Sequence, residues 1–357
     1  MNKTTPKYGQ GIYHAAYSEL VTPVFTPYAN GKGNLDVGMK PIETEEIFHF
    51  DCFYPYYIEI KNLMFEKHRE VVYQDINKKK TSLAHKWAAL VSWLDLIDIE
   101  FPYTGVGTIG QNPNYGKSEW DISDLSLFQL DRDNRGKDEN TLYKCYYGGR
   151  PANLLPSNVT QNYTSKYGLE LLTRAIQEDV CILRRRDEGW VLIAGSVCFP
   201  SHWMLKDKIG KTLDEIHSPV PQINEAIGDI ITKKMDEMER DKPVERFNWT
   251  YSTSGTLMNA GSRIPQRTIS EEKVSETFIR VERQTLRKID NGDIIFTIRT
   301  YFHLIEQICR DKDLCSGLLS AILTTPKDVL EYRGMTPHRD VLVKYLEEWD
   351  KKHGIEF

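Results

Sequence analysis

The sequence predicts an α+β fold: an antiparallel β-sheet with flanking helices, extended by helical segments on its N-terminal and C-terminal sides. Three observations predict it. Val180–Arg184 and Trp190–Phe199 are apolar runs separated by a turn at Asp187-Glu188-Gly189, which is a hairpin signal. Phe278–Ile289 and Ile294–Phe302 flank Asp290-Asn291-Gly292-Asp293, and Asn-Gly favours a tight primed turn between antiparallel strands. Helical segments lie between these hairpins and no strand–helix–strand alternation is visible, which argues against a doubly wound parallel sheet.

Taken in order, residues 1–36 are rich in Gly, Pro, Tyr and Asn without periodicity, and read as an extended N-terminal arm. Residues 37–357 read as one domain with its core at about residues 168–305. From Ile58 to about Leu96 apolar positions recur at three and four, a helical pattern. Gly105–Tyr167 is dominated by Gly, Asn, Asp, Ser and Tyr and reads mostly as loop. Leu169–Glu178 reads as a short helix before the first hairpin. Thr212-x-x-Glu215 is a capping box over a short helix that carries His217 and stops at Ser218-Pro219, because a residue before proline resists the helical region. A longer helix then starts at Pro221, with Ile223, Ala226, Ile227, Ile230, Ile231, Met235 and Met238 on one stripe. Leu304–Leu323 and Pro326–Glu348 read as terminal helices.

Composition narrows the function. The chain has 357 residues, 40% of them apolar, enough for a well-buried core. Its net charge of −5, with both signs interspersed, offers no field for nucleic acid or an anionic membrane. The polar start MNKTTPKYGQ and the lack of any run near the roughly 20 apolar residues of a bilayer span point to a cytoplasmic protein. Cys52, Cys145, Cys181, Cys198, Cys309 and Cys315 lie far apart without Cys-x-x-Cys, so neither a disulfide framework nor a thiolate cluster is suggested; any iron–sulfur centre belongs to another chain. The glycines of 105–150 do not join a strand to a helix as a phosphate cradle requires. Gly-x-Ser-x-Gly is absent, and Gly195-Ser196 lies inside a strand.

His217 stands out from the remaining residues. It ends a short helix, is followed by Pro219 and Pro221, and adjoins an apolar helix, so its ring is rigidly mounted, as an axial metal ligand must be. The alternative is a histidine that helps to cap that helix. The other histidines show neither His-x-x-x-His nor a facial-triad spacing; His202, in Phe199-Pro-Ser-His-Trp, is the rival, and reads better as a turn residue. The second hairpin carries many polar side chains. Alternation sets Arg280, Glu282 and Gln284 on one face and Ile279, Val281, Arg283 and Thr285 on the other, while Thr297, Arg299 and Tyr301 share a face of the partner strand. This is either a solvated face with cross-strand ion pairs or a polarised pocket in which Glu282 meets an amine or a proton. Asp236–Lys242 reads as a solvated helix end.

Three linked motifs, Val197-Cys-Phe-Pro-Ser-His-Trp, Lys208-x-Gly-x-x-Leu-x-x-Ile-His217-x-Pro-Val-Pro, and Arg280-Val-Glu-Arg-Gln-Thr-Leu, resemble the haem-dependent oxidative N-demethylase family. Supporting matches are Gly38-Met-Lys-Pro-Ile, Gln177-Glu-Asp-Val-Cys-Ile-Leu, Arg246-x-Asn-Trp and Phe296-Thr-Ile-Arg-Thr-Tyr. The resemblance implies a PAS-like five-stranded sheet with haem b between sheet and helices, and His217 as the iron ligand. It makes Arg280, Thr297 and Arg299 candidates for holding the cofactor, and Glu282, Arg283 and Gln284 candidates for the oxygen and substrate pocket. It further implies oxidative demethylation of a small secondary amine such as dimethylamine, using O₂ and releasing formaldehyde. Electrons would come from NADPH through FMN and a 2Fe–2S cluster on a separate reductase chain. A haem-based PAS gas or redox sensor and a haem enzyme acting on another nitrogen compound are the alternatives; the absence of a heptad linker or output domain weighs against the sensor.

Overall fold

The computed structural model describes residues 23–35, 38–49, 53–76, 169–170, 173–174, 176–223, 225–240, 242–259, 268–289 and 292–353. Within these, seven strands form one antiparallel sheet: β1 (Lys40–Pro41), β2 (Tyr73–Asp75), β3 (Asp179–Arg186), β4 (Gly189–Ser196), β5 (Val244–Ser252), β6 (Phe278–Lys288) and β7 (Ile294–Leu304). Their spatial order is β1-β5-β6-β7-β3-β4-β2. The helices are α1 (Tyr54–Val72), α2 (Leu213–His217), α3 (Glu225–Asp236), α4 (Ile305–Cys309), α5 (Lys312–Thr324), α6 (Lys327–Tyr332) and α7 (Arg339–His353). No helix among the described residues is long and apolar enough to cross a membrane.

Both expected hairpins are present. β3 pairs with β4 through Arg186↔Gly189, and β6 pairs with β7 from Lys288↔Ile294 to Phe278↔Leu304. At the second tip residues 290–291 lie outside the described residues; Gly292 takes φ +84°, and its N–H donates to the Ile289 carbonyl at 2.9 Å. Joining the hairpins edge to edge through β3 and β7 places β6 and β7 in the middle of the sheet.

Elsewhere the structure differs from the sequence reading. The helical pattern from Ile58 breaks at Val72, where Tyr73 turns extended and β2 adds to the sheet edge along Ala194–Ser196; the part of that pattern beyond Ile76 and the loop reading of 105–167 lie outside the described residues. Pro221 is not in the first turn of α3: the chain turns through Gln222, at φ +63°, and the helix starts at Glu225. On its stripe Ile231 and Met235 are buried, but Ile230 is 51% exposed. The terminal helices are four. Asp311 ends the first and caps the next by accepting from the Asp313 and Leu314 N–H groups, and Gly334, at φ +70°, separates α6 from α7.

Two layers cover the sheet. On one face Trp249, Tyr251, Ile279, Val281 and Tyr301 pack against α4–α7. Tyr28 is fully buried in this same layer, so residues 23–35 run over the sheet as a strap. The strap is tied by a polar contact, the Tyr28 hydroxyl meeting His303 Nδ1 at 3.0 Å, and next to it the Tyr301 hydroxyl meets His49 Nδ1 at 2.8 Å. On the other face Cys181, Leu183, Leu192, Leu286 and Ile294 pack against Leu205 and α3, while Phe278, Phe302 and Leu304 pack against α1.

The strap leaves no space where it crosses α5. A Cβ at Gly317 would fall 2.5 Å from the Ala29 carbonyl oxygen. Alanine ordinarily favours a helix over glycine by about 1 kcal/mol, but overpacking of this kind costs roughly 1–3 kcal/mol. Gly317→Ala is expected to lower the urea midpoint, whereas the helix term alone would raise it. His303 yields a second expectation. Burial drives its imidazole from 6.5 down to about 3, so between those values the unfolded chain binds the extra proton and stability falls as pH drops. Urea titrations from pH 7 to pH 4 should show this loss, and His303→Gln should flatten the slope.

Candidate functional site

The second sheet face is built from three rungs that cross β5, β6 and β7. The pairs are Arg246–Gln284–Ile298, Asn248–Glu282–Thr300 and Thr250–Arg280–Phe302. Strand alternation keeps these nine side chains together on the face that meets Leu205 and α3. Burial grades along the rungs. Arg280 is 2% and Glu282 8% exposed, while Gln284, Arg246 and Asn248 are half-buried.

The closed end is held by Arg280. Its guanidinium donates to the carbonyls of Leu257 (3.0 Å), Thr256 (3.3 Å) and Phe199, and to the Thr300 hydroxyl at 3.2 Å. Its Nε lies 3.6 Å from Glu282 Oε1. The Asp179 carboxylate grips the same loop by accepting from the Cys198 and Phe199 N–H groups at 2.9 and 2.7 Å, with the buried Lys61 ammonium at 3.6 Å. Glu282 also accepts from Gln284 Nε2 at 3.3 Å. The loop that follows Phe199 carries His202 at φ +60°, with its N–H on the Asn259 carbonyl. His202 is therefore a turn residue, as its setting in the sequence suggested.

α2 lies at the open end. Its N-terminus has the expected capping box: the Thr212 hydroxyl accepts from Glu215 N–H at 3.3 Å, and the Glu215 carboxylate accepts from Thr212 N–H at 2.8 Å. Each carbonyl of its last turn is also engaged. Ser218 Oγ donates to the Glu215 oxygen at 3.1 Å, Lys208 Nζ to that of Ile216 at 3.0 Å, and Val220 N–H to that of His217 at 2.7 Å. The result is a fixed mount for His217. The imidazole is half-buried and makes no side-chain hydrogen bond among the described residues. Burial first, then the charges of Arg246 and Lys208, push it from 6.5 down to about 4, so it is neutral at pH 7. Trp203, Ile209, Ile216, Ile227 and Phe296 belong to the half-buried edge of the apolar cluster that packs α2 and α3 on this face.

The remaining candidates are elsewhere. Arg283, Thr297 and Arg299 occupy the opposite face. Arg283 pairs with Glu245 at 2.7 Å, donates to the Glu46 and Ile47 carbonyls, and lies 5.0 Å from the Phe25 ring. Thr297 Oγ1 meets Thr285 Oγ1 at 2.6 Å, and the Arg299 guanidinium lies between the rings of Tyr57 and Tyr301 at 4.4 and 4.6 Å. Odd and even positions of one strand cannot share a face, so these three do not meet His217. Arg246 and Asn248, absent from the candidate set, do lie on its side. Their signal was the alternation Phe247-x-Trp249-x-Tyr251, which identifies β5 and turns the intervening residues towards α2. Asp236 is more than a solvated helix end, since it accepts from Arg185 Nε at 3.0 Å and Trp190 Nε1 at 2.9 Å.

Among the described residues no three His, Cys, Asp or Glu side chains converge as a metal cage. A single neutral imidazole above an apolar, half-buried lining with polar rungs opposite is instead a donor set that suits a prosthetic group supplying its own equatorial ligands. The sequence profile of the haem-dependent oxidative N-demethylase, alpha subunit-like family matches residues 126–343, more than half of the chain. The chain belongs to that family. Membership supports haem dependence and an oxidative demethylase class of activity, and the description as an alpha subunit points to an oxygenase of more than one component.

The N-demethylase-like chain is closed at one end of its site by a single cation. Arg280→Met should leave the Phe199, Thr256 and Leu257 carbonyls without their donor and Glu282 without its ion pair, at a cost of about 3–5 kcal/mol. A urea midpoint unchanged by this substitution would show that the loops at Phe199 and Leu257 do not depend on the clamp.

Proposed function

We propose that this chain is the haem-binding subunit of an oxygenase that demethylates a small secondary amine such as dimethylamine, with haem b seated between α2, α3 and the sheet. The observation that carries this reading is the His217 imidazole: neutral, rigidly mounted, making no side-chain hydrogen bond among the described residues, and on the side of the sheet that carries Glu282. Family membership supplies the haem. The central strand order β5-β6-β7-β3-β4, with α2 and α3 inserted between the first hairpin and β5, supports a PAS-like arrangement.

When bound, haem would supply the O₂ activation that oxidises a methyl group and releases formaldehyde. The chain's own residues hold and orient the reactants. His217 would hold the haem iron, and its neutral state leaves a ring nitrogen available for it at pH 7. Glu282, backed by Arg280 and Gln284, would accept the hydrogen bonds of the amine and hold its positive charge, which is strong in a low-dielectric site. Gln284 and Asn248 flank that carboxylate and would orient the methyl group. Trp203, Phe296 and Ile298 would exclude water. Arg283, Thr297 and Arg299 support the sheet from behind. Electrons would arrive from NADPH through FMN and a 2Fe–2S cluster on a separate chain, in keeping with the alpha-subunit description.

Absorption spectra of the purified protein with haem, before and after dithionite and then with dimethylamine, test this reading. A Soret band is expected that shifts on reduction and again with amine. His217→Ala should lose most of the band, and Glu282→Gln should keep it while kcat/KM falls roughly 10²-fold or more. Wild-type protein that forms no Soret band with added haem would sink the proposal.

A further inference from the structure

Around His217, α2 presents an unusual electrostatic setting, and the following rests on the haem reading above. We propose that Lys208 is a positioning residue that fixes the His217 mount and, through its charge, holds the bound iron at a more positive reduction potential. The geometry begins with the turn Leu205–Asp207, which is docked on β4: Gly210 N–H donates to the Leu192 carbonyl at 2.8 Å, and Leu192 N–H to that of Lys211 at 3.0 Å. The dock is tight, because a Cβ at Gly195 would stand 2.7 Å from a Leu205 methyl carbon. From this base the half-buried Lys208 ammonium reaches the Ile216 carbonyl at 3.0 Å, one residue before His217.

Metal-bound histidines ordinarily have a carboxylate or carbonyl behind the ring, which makes the imidazole a stronger donor. Here the groups whose charge reaches His217 are Arg246, Lys208 and Asp214, and Asp214 is solvent-exposed, with its carboxylate beside Gly228 of α3. Two cations, both half-buried, face one solvated carboxylate. Nearby positive charge favours the less positive of two states, and here that is iron after it accepts one electron from a one-electron donor. A lysine acting only as a helix cap would influence stability and haem affinity but not this balance.

The experiment is a spectroelectrochemical titration of haem-loaded wild type, Lys208→Met and Lys208→Arg, with dithionite as reductant, alongside urea midpoints of the haem-free proteins. At the poise where wild type is half reduced, K208M is expected to raise the oxidised-to-reduced ratio at least about threefold, a fall of roughly 28 mV for one electron at 59 mV per tenfold change. K208R, which keeps the charge and a donor, should stay close to wild type. If K208M lowers the urea midpoint and leaves the potential at the wild-type value, Lys208 is a structural cap and the proposal is overturned. Wild-type protein that takes up no haem is a separate result, seen before any variant is compared, and overturns the haem reading and this inference together.

Discussion

A guanidinium removed from water must find carbonyls or carboxylates for its N–H groups, and this requirement organises the molecule around β6. Arg280 and Arg283 are three positions apart on that strand and point to opposite faces. Arg280 collects the carbonyls of Phe199, Thr256 and Leu257. Arg283 collects those of Glu46 and Ile47 and the carboxylate of Glu245. Each thus binds segments distant in sequence to a central strand, and neither layer could move without leaving a buried cation unsatisfied. Arg333 repeats the device, donating to the Gly33 carbonyl at 2.7 Å while its guanidinium lies 3.8 Å from the Trp249 ring.

The consequence for the site is a division between a locked end and an adaptable end. Around Arg280 the polar groups are committed to one another, so Glu282 is held in one place by an ion pair and an amide. Around α2 the backbone is equally fixed, through its capping box and the three engaged carbonyls, but the imidazole itself is left uncommitted. Rigid supports with one uncommitted donor are what pre-organised ligation requires, because the ordering entropy has been met during folding and is not charged to binding.

Much of this was legible in the sequence where short-range rules govern. Period-two patterns with Asp-Glu-Gly and Asp-Asn-Gly-Asp gave the two hairpins, and Thr212-x-x-Glu215 gave α2. The alternation of β6 and β7 also separated Glu282 and Gln284 from Arg283. What it could not decide is which face looks towards His217, because that depends on the strand order and on the strap, both long-range. β5 was hidden because Glu245, Arg246 and Asn248 lower its hydropathy, although its aromatic residues alternate. β2 was hidden because its three residues continue a helical pattern. The burial of Tyr28 depends on His303, 275 positions away, and no local signal announces such a contact.

In the proposed site, the graded burial of the three rungs bears on where substrate scope would reside. The Thr250–Arg280–Phe302 rung is closed on the loops and cannot change without loss of the fold. On the proposed reading the Asn248–Glu282–Thr300 rung would hold the acceptor for a cationic group, with its carboxylate already placed by Arg280 and Gln284. Only the Arg246–Gln284 pair is half-buried on both strands, next to the apolar lining of α2 and α3. On that reading, residues there would meet the part of a ligand that extends away from Glu282. A larger amine would therefore be accommodated at this rung, with the locked rungs and the His217 mount left as they are.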